Sequence, residues 1–228
     1  MVDFAKLLNS PRKAPPKVPA LSIGVTGHRP DKLYSTKNSA DGYEFGNPLR
    51  RRLRMELIRA TADLVANAKR DRYDAEYRDM FLRKVVWQNG WEVEEKWRTI
   101  EVLCLQGGAQ GADQDAAAAW FQLQLPYVVV KPFPGQEAPW PEPAQKRFAK
   151  MCEFAAGIYL VSDKKPSDHS EAASMLKARS VRLCEMSDEL IGVWDNSRGG
   201  TSYCVNWWQR VHFGAHFTHL DPREWRLG

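Results

Sequence analysis

The sequence predicts an α/β fold: a Rossmann-like three-layer sandwich with a mainly parallel sheet of about five to seven strands and a helical insertion. Two observations predict it. Short apolar runs alternate with longer stretches of helical periodicity along most of the chain, the pattern left by strands joined through crossover helices. Three glycine-bearing loops each follow an apolar run and precede a helical pattern, at the junctions where such sheets hold their ligands.

Composition sets the bounds. A chain of 228 residues, 43% hydrophobic and 27% charged, can bury one substantial core and does not read as disordered throughout. We expect one domain over residues 21–228 behind a short arm. The longest apolar runs, such as 126–130 and 157–161, are strand-sized and far short of the roughly 20 residues of a membrane span. Asp3 near the start, with no apolar segment leading to a small-residue cleavage site, speaks against a secretory signal, so the expected location is cytoplasmic. Cys104, Cys152, Cys184 and Cys204 are scattered without metal-ligand spacing and read as buried, reduced thiols with no chemistry assigned. The net charge of +5 permits an anionic ligand but is small for this length. Part of it is local: Lys6, Arg12, Lys13 and Lys17 stand beside Pro11, Pro15, Pro16 and Pro19, which makes residues 1–20 a flexible basic arm.

The elements follow in order. Residues 21–26 form the first strand. A polar loop over 27–46 leads to Pro48, which opens a helix at a position where its missing N–H costs little; Leu49, Leu53, Leu57, Leu64 and Val65 share one face of it. Residues 70–98 are highly charged, with Tyr73, Tyr77, Phe81, Val85 and Trp87 at amphipathic spacing, and are expected to be a helical insertion covering the sheet or a partner surface. Residues 99–106 form the second strand, and a helix runs through the alanines 116–119 to Gln124. A third strand spans 125–131. A proline-rich loop then leads to a short helix ending near Ala156 and a fourth strand at 157–162. The chain closes with a helix at 169–186, a fifth strand at 189–194 and a helix at 201–211.

The chemistry is expected in three loops. Val25-Thr26-Gly27-His28-Arg29-Pro30 ends the first strand; Gly27 lets the backbone turn, and Arg29 suits charge-assisted bonds to phosphate. Gln106-Gly107-Gly108-Ala109-Gln110-Gly111-Ala112-Asp113 leads from a strand into a helix, where free main-chain N–H groups and the helix dipole attract an anion. It lacks the Gly-Lys-Ser/Thr ending of a P-loop and is not a full Gly-x-Gly-x-x-Gly fingerprint. Asp113 is placed either to hold a ribose hydroxyl or to cap the helix. Asn196-Ser197-Arg198-Gly199-Gly200-Thr201 is the third junction, with a threonine hydroxyl at a helix start. Three such loops at the C-terminal ends of parallel strands converge on one edge and imply a shared ligand site. Arg179 is spaced to reach it or to be a surface arginine. Trp207 and Trp208 read as core or interface, and His212, His216 and His219 are not read as a metal site.

In this order, Gly24 through Pro30, Gly107 through Asp113, Arg179 with Ser187-Asp188, and Gly199-Gly200-Thr201 resemble the SLOG superfamily, which includes the DprA-type DNA-processing proteins and the LOG-type nucleoside monophosphate phosphoribohydrolases. The opening motif and the Gly-Ala-Asp loop are most similar to the YpsA-like branch. The resemblance spans residues 21 to about 211. It implies a parallel sheet with a ligand site at its C-terminal edge, and often a homodimer. The LOG enzymes cleave an N-glycosidic bond with an arginine ahead of a Ser-Asp pair and a glutamate after a Pro-Gly-Gly-x-Gly-Thr loop. Arg179 matches the first; the position of the glutamate holds Cys204, and the extra proline and glycine are absent.

The expected function is therefore the binding of a nucleotide or nucleotide-derived phosphate ligand, to sense or sequester it. The ligand contacts are assigned to Thr26, Gly27, His28, Arg29, Gly107, Gly108, Gly111, Asp113, Arg179, Gly199, Gly200 and Thr201. A nucleotide N-glycosidase is the alternative, with Arg179 and Asp113 as candidate catalytic residues and Asp115, Glu185 or Asp195 as further carboxylates. A DprA-like single-stranded DNA binder comes third. No cofactor, metal or membrane partner is expected.

Overall fold

A computed structural model describes residues 21–33, 47–68, 102–213 and 217–225. The expected basic arm at 1–20 and the helical insertion at 70–98 lie outside the described residues. Among these residues six strands form one sheet in the order β4-β3-β2-β1-β5-β6, every pair parallel. The strands are β1 (Leu21–Gly27), β2 (Val102–Gln106), β3 (Tyr127–Lys131), β4 (Gly157–Leu160), β5 (Glu189–Val193) and β6 (Thr218–Leu220). Five helices accompany them: α1 (Pro48–Ala68), α2 (Ala112–Gln122), α3 (Glu142–Phe154), α4 (His169–Glu185) and α5 (Gly200–Val211). A single helical turn, Pro30–Leu33, follows β1, and a 3₁₀ turn, Pro222–Trp225, follows β6.

The period of two along the strands sorts side chains to the two faces. Ile23, Val25, Cys104, Val129 and Ile191 join one core with Leu53 and Leu57 of α1, Trp120 of α2 and Phe148 of α3. On the other face Leu190 packs with Leu183 and Cys184 of α4 and with Cys204, Val205 and Trp208 of α5. Helices on both faces make the three layers, and strands covered on both sides explain why their sequences read as continuous apolar runs.

Local chemistry sets the helix starts. The Asn47 carboxamide oxygen accepts from the N–H groups of Leu49 (2.9 Å) and Arg50 (3.3 Å), with Pro48 at the first helical position, a complete start signal for α1. The Asp168 carboxylate accepts from the Glu171 N–H at 2.8 Å and opens α4. Two buried ties then lock layers together. Asp115 of α2 accepts from Arg50 Nε and Nη2 at 2.8–3.2 Å and from Arg54 at 3.4 Å, and Trp120 donates its indole N–H to Thr61 at 3.1 Å.

Chain order in the sheet places the site. From β1 the chain builds outward through β2, β3 and β4, then returns to β5 on the opposite side of β1. The strand order reverses between β1 and β5, and the crevice beyond their C-terminal ends is where an open parallel sheet binds ligands. The expected strands stand, with ends that differ by one or two residues where both fall among the described residues. The sequence reading contains no strand at β6; its Thr-His-Leu is too short to show a period, and its pairing with Ile191, Gly192 and Val193 is what makes it a strand.

Candidate functional site

A cleft of about 920 Å³ opens at the C-terminal edge of the sheet, between the first loop, the loop after β2, the proline-rich loop after β3, and helices α4 and α5. Thr26, Gly27, His28 and Arg29 supply its floor from the end of β1, and Gly199, Gly200 and Thr201 its far wall from the start of α5. Asp113 and Arg179 face it from α2 and α4. Gly107, Gly108 and Gly111 stand behind the lining, and Ala109 and Gln110 represent their loop in the cleft.

Those three glycines are packed, and the main-chain amides around them are in use. An added Cβ on Gly111, where φ is +92°, would lie 2.4 Å from the His28 carbonyl oxygen, and the Ala112 N–H donates to that same carbonyl at 3.2 Å. The second loop is thereby seated on the first, an approach only glycine permits. Asp113 accepts from the Gly107 and Ala109 N–H groups, each at 3.1 Å, and the Gln106 side chain accepts from Gly108 N–H at 2.5 Å. The amide cradle read into this loop is thus filled by the protein's own side chains. Gly199 and Gly200 are the opposite case: among the described residues, nothing beyond the chain neighbours and the helix's own backbone lies within 4 Å of an added Cβ at either. The main chain at the α5 start is the approachable one, with its Gly199 N–H already donating to the Ser202 hydroxyl at 2.9 Å, and a helix N-terminus carries partial positive charge.

Burial pushes the Asp113 carboxyl up, while Arg179 and the Gly107 and Ala109 amides pull it back. Arg179 Nη1 lies 3.6 Å from that carboxylate, and its guanidinium occupies the space where a Gly107 side chain would be. Its buried Nε has no hydrogen-bond partner. The Gln136 Nε2, on a residue 7% exposed, is unpartnered in the same way at the cleft wall. Both are unsatisfied donors sealed against the second loop, Arg179 Nε beside Gly107 and Gln136 Nε2 beside Gly108.

His28 Nε2 lies 2.5 Å from Asp195 Oδ1 just beyond the end of β5. Although burial acts upward, hydrogen bonds from Ser197 and His28 hold the Asp195 carboxyl below the ordinary aspartate range. The loop that carries it is fixed by Trp194, whose indole donates to the Ser197 carbonyl at 2.7 Å, and by Lys32, which donates to the Ser197 hydroxyl at 2.7 Å.

The charges in the lining decide its preference. Arg29, Lys32, Lys177 and Arg179 face the cleft, and Asp113 is the one carboxylate among the described lining residues. Phe133, Trp140 and Tyr203 add aromatic surface. Lys32, Gln136, Lys177 and these aromatics are not among the residues that the three loop motifs single out. Lys32 sits four residues past His28, where the helical turn Pro30–Leu33 returns it to the cleft; Gln136 and Trp140 lie in a loop with no periodicity to place them.

Other expectations resolve into structural roles. Ser187 and Asp188 lie at the opposite edge, where Asp188 accepts from the Ser22 N–H (2.8 Å) and hydroxyl (2.6 Å) and ties β5 to β1. Asp115 is fully buried between two arginines, and Glu185 pairs with Arg182 on the surface at 3.2 Å. His212 and His219 face the carbonyl oxygens of Cys184 (3.5 Å) and Trp194 (2.7 Å), and Trp208 is core; His216 lies outside the described residues. Among the described residues no group of His, Cys, Asp and Glu is arranged to hold a metal, and no helix is long and apolar enough to cross a membrane.

No protein-family model matches the chain. It is similar to the SPbeta prophage-derived protein YoqJ of Bacillus subtilis, 28% identical over 144 residues that cover 57% of this chain and 79% of that protein. It is also similar to the UPF0398 protein ABC2016 of Shouchella clausii, 29% identical over 103 residues, 42% of this chain and 53% of that protein. A structure of DNA processing protein A from Helicobacter pylori, described for its single-stranded DNA binding mode, aligns over 98% of this chain and 74% of that one, with a TM-score of 0.47 and 13% identity. The sequence relationship to a UPF0398 protein agrees with the resemblance to the SLOG superfamily and its YpsA-like branch.

Proposed function

We propose that this homologue of a UPF0398 protein binds a nucleotide or nucleotide-derived phosphate ligand, to sense or sequester it. One observation carries the reading: four cationic side chains and the N-terminus of α5 face one cleft at the strand-order reversal, against a single described carboxylate that is itself engaged. In this reading the phosphate lies against Gly199, Gly200 and Thr201, within reach of Arg29 and Arg179. The base lies toward Phe133 and Trp140.

The reading is tested by calorimetry with a panel of nucleoside monophosphates and the matching nucleosides, after mass spectrometry of small molecules released from the purified protein. We expect a monophosphate to bind one per chain and its nucleoside to bind much more weakly. Arg179→Ala should weaken the monophosphate by roughly ten- to a hundredfold, the value of a charge-assisted hydrogen bond of about 1.5–3 kcal/mol. Equal affinity for nucleoside and monophosphate would overturn it.

The His28–Asp195 pair favours a second reading, hydrolysis of the N-glycosidic bond. A carboxylate that orients an imidazole at a ligand crevice is a proton-handling arrangement: histidine takes a proton from water as it adds to the sugar carbon, and the base leaves with a proton. The same mixtures, assayed for free base and lost on His28→Ala, decide between binding and turnover.

A further inference from the structure

We propose that Cys184 and Cys204 are a redox-active pair that a peroxide-class oxidant joins in a reversible disulfide, strapping α4 to α5 beneath the cleft. The inference does not depend on the identity of the ligand. The two Sγ atoms lie 3.2 Å apart, and the Cys184 thiol also donates to the Cys204 carbonyl oxygen at 3.3 Å. A disulfide bond is about 2.05 Å long, so the sulfurs need to close by little more than an ångström, within the reach of small side-chain rotations. The pairing is specific in space: Cys104 and Cys152 belong to the core on the opposite face of the sheet, while Cys184 and Cys204 share one cluster with Leu183, Val205 and Trp208.

The pair backs onto the cleft. Ser180 and Thr201, which line it, stand one helical turn before Cys184 and three residues before Cys204, and the Cys204 Sγ lies 3.8 Å from the Ser180 carbonyl oxygen. A small neutral oxidant entering the cleft therefore has Cys204 behind a single layer of side chains. The Cys184 S–H, then the Thr26 hydroxyl and the Arg179 charge, pull the Cys204 thiol down against its burial, whereas Cys184 is held up. Contacts with the cleft-lining Thr26 and Ser180 assign Cys204 as the attacking sulfur and Cys184 as the resolving one.

The chemistry balances with hydrogen peroxide. The Cys204 thiolate attacks one peroxide oxygen, the O–O bond breaks, and the departing hydroxide takes up the thiol's proton as water, leaving a sulfenic acid. The Cys184 sulfur then attacks the Cys204 sulfur, the S–O bond breaks, and the second hydroxide leaves as water with the Cys184 proton. Two thiols have lost two electrons to one peroxide, and a dithiol reductant reverses the result.

The test uses the wild-type chain, fully reduced, exposed to hydrogen peroxide, alkylated, digested and mapped by mass spectrometry. We expect a peptide joined through residues 184 and 204, with Cys104 and Cys152 still alkylated and all four thiols restored by a dithiol. In Cys184→Ser the link should vanish and Cys204 should become reactive to a sulfenic-acid-trapping dione. Cys152 is the more exposed thiol, so oxidation governed by exposure alone would strike it first. That outcome, four unmodified thiols, or a link through any other cysteine would each overturn the proposal.

Discussion

Gly108 and Gly200 look alike in the sequence, each the second glycine of a strand-to-helix loop, yet their surroundings are opposite. Gly108 has φ +70°, and an added Cβ would lie 2.7 Å from Gln136 and 2.8 Å from Phe148; an added Cβ on Gly200 would meet no described residue outside its own helix and chain neighbours within 4 Å. Gly108→Asp is therefore expected to lower the melting temperature and disturb everything, whereas Gly200→Asp adds a carboxylate at a helix start that tolerates it. Its fold should hold while affinity for an anionic ligand falls at least tenfold, checked by thermal melts beside calorimetry. Asp195 makes a second test. Its folded-state carboxyl is held below the ordinary aspartate value of 3.8, so the stability it contributes is present above that value and is lost as pH falls below it. Wild type should exceed Asp195→Asn in stability at neutral pH, and the gap should close as denaturant midpoints are followed below pH 3.8. The candidate residues at the first and third loops were legible in the sequence because turn glycines, a phosphate-matching arginine and a helix-start threonine are local signals. The bonds from Asp113 to Gly107 and Ala109 were not, because a side chain's choice between ligand and its own loop depends on packing that spacing does not encode.

At the scale of elements, α1 and α2 are joined by charge as well as by apolar contact. Asp115 is 0% exposed, with Arg50 and Arg54 on either side, and removing one member of such a group strands the others away from water. Asp115→Ala should cost roughly 3–5 kcal/mol in denaturant-measured stability, and Asp115→Ala with Arg50→Leu should cost less than the sum of the two single changes. From sequence Asp115 was a catalytic candidate; the partner that redirects it stands 65 residues earlier in the chain. The helices themselves were readable from capping residues and a period near 3.6. β6 was not, since a three-residue strand exists through its neighbour alone.

For the whole molecule, a mainly parallel sheet was the most legible property, because apolar runs covered on both faces advertise themselves; that β1 is central comes from the strand order. The position of the crevice followed from the strand order, which the sequence reading could place only at the C-terminal ends in general. The arrangement has a consequence for the order of assembly. β1 takes β5 as its second neighbour, and the lock between them, Ser22 to Asp188, bridges 166 residues. During synthesis the first strand must therefore wait, one side bare, until nearly all of the described chain has left the ribosome. The crevice, whose rim needs both strands, comes into being among the last features of the molecule, so a nascent chain arrested before residue 188 would expose an unsatisfied strand margin to any other chain nearby.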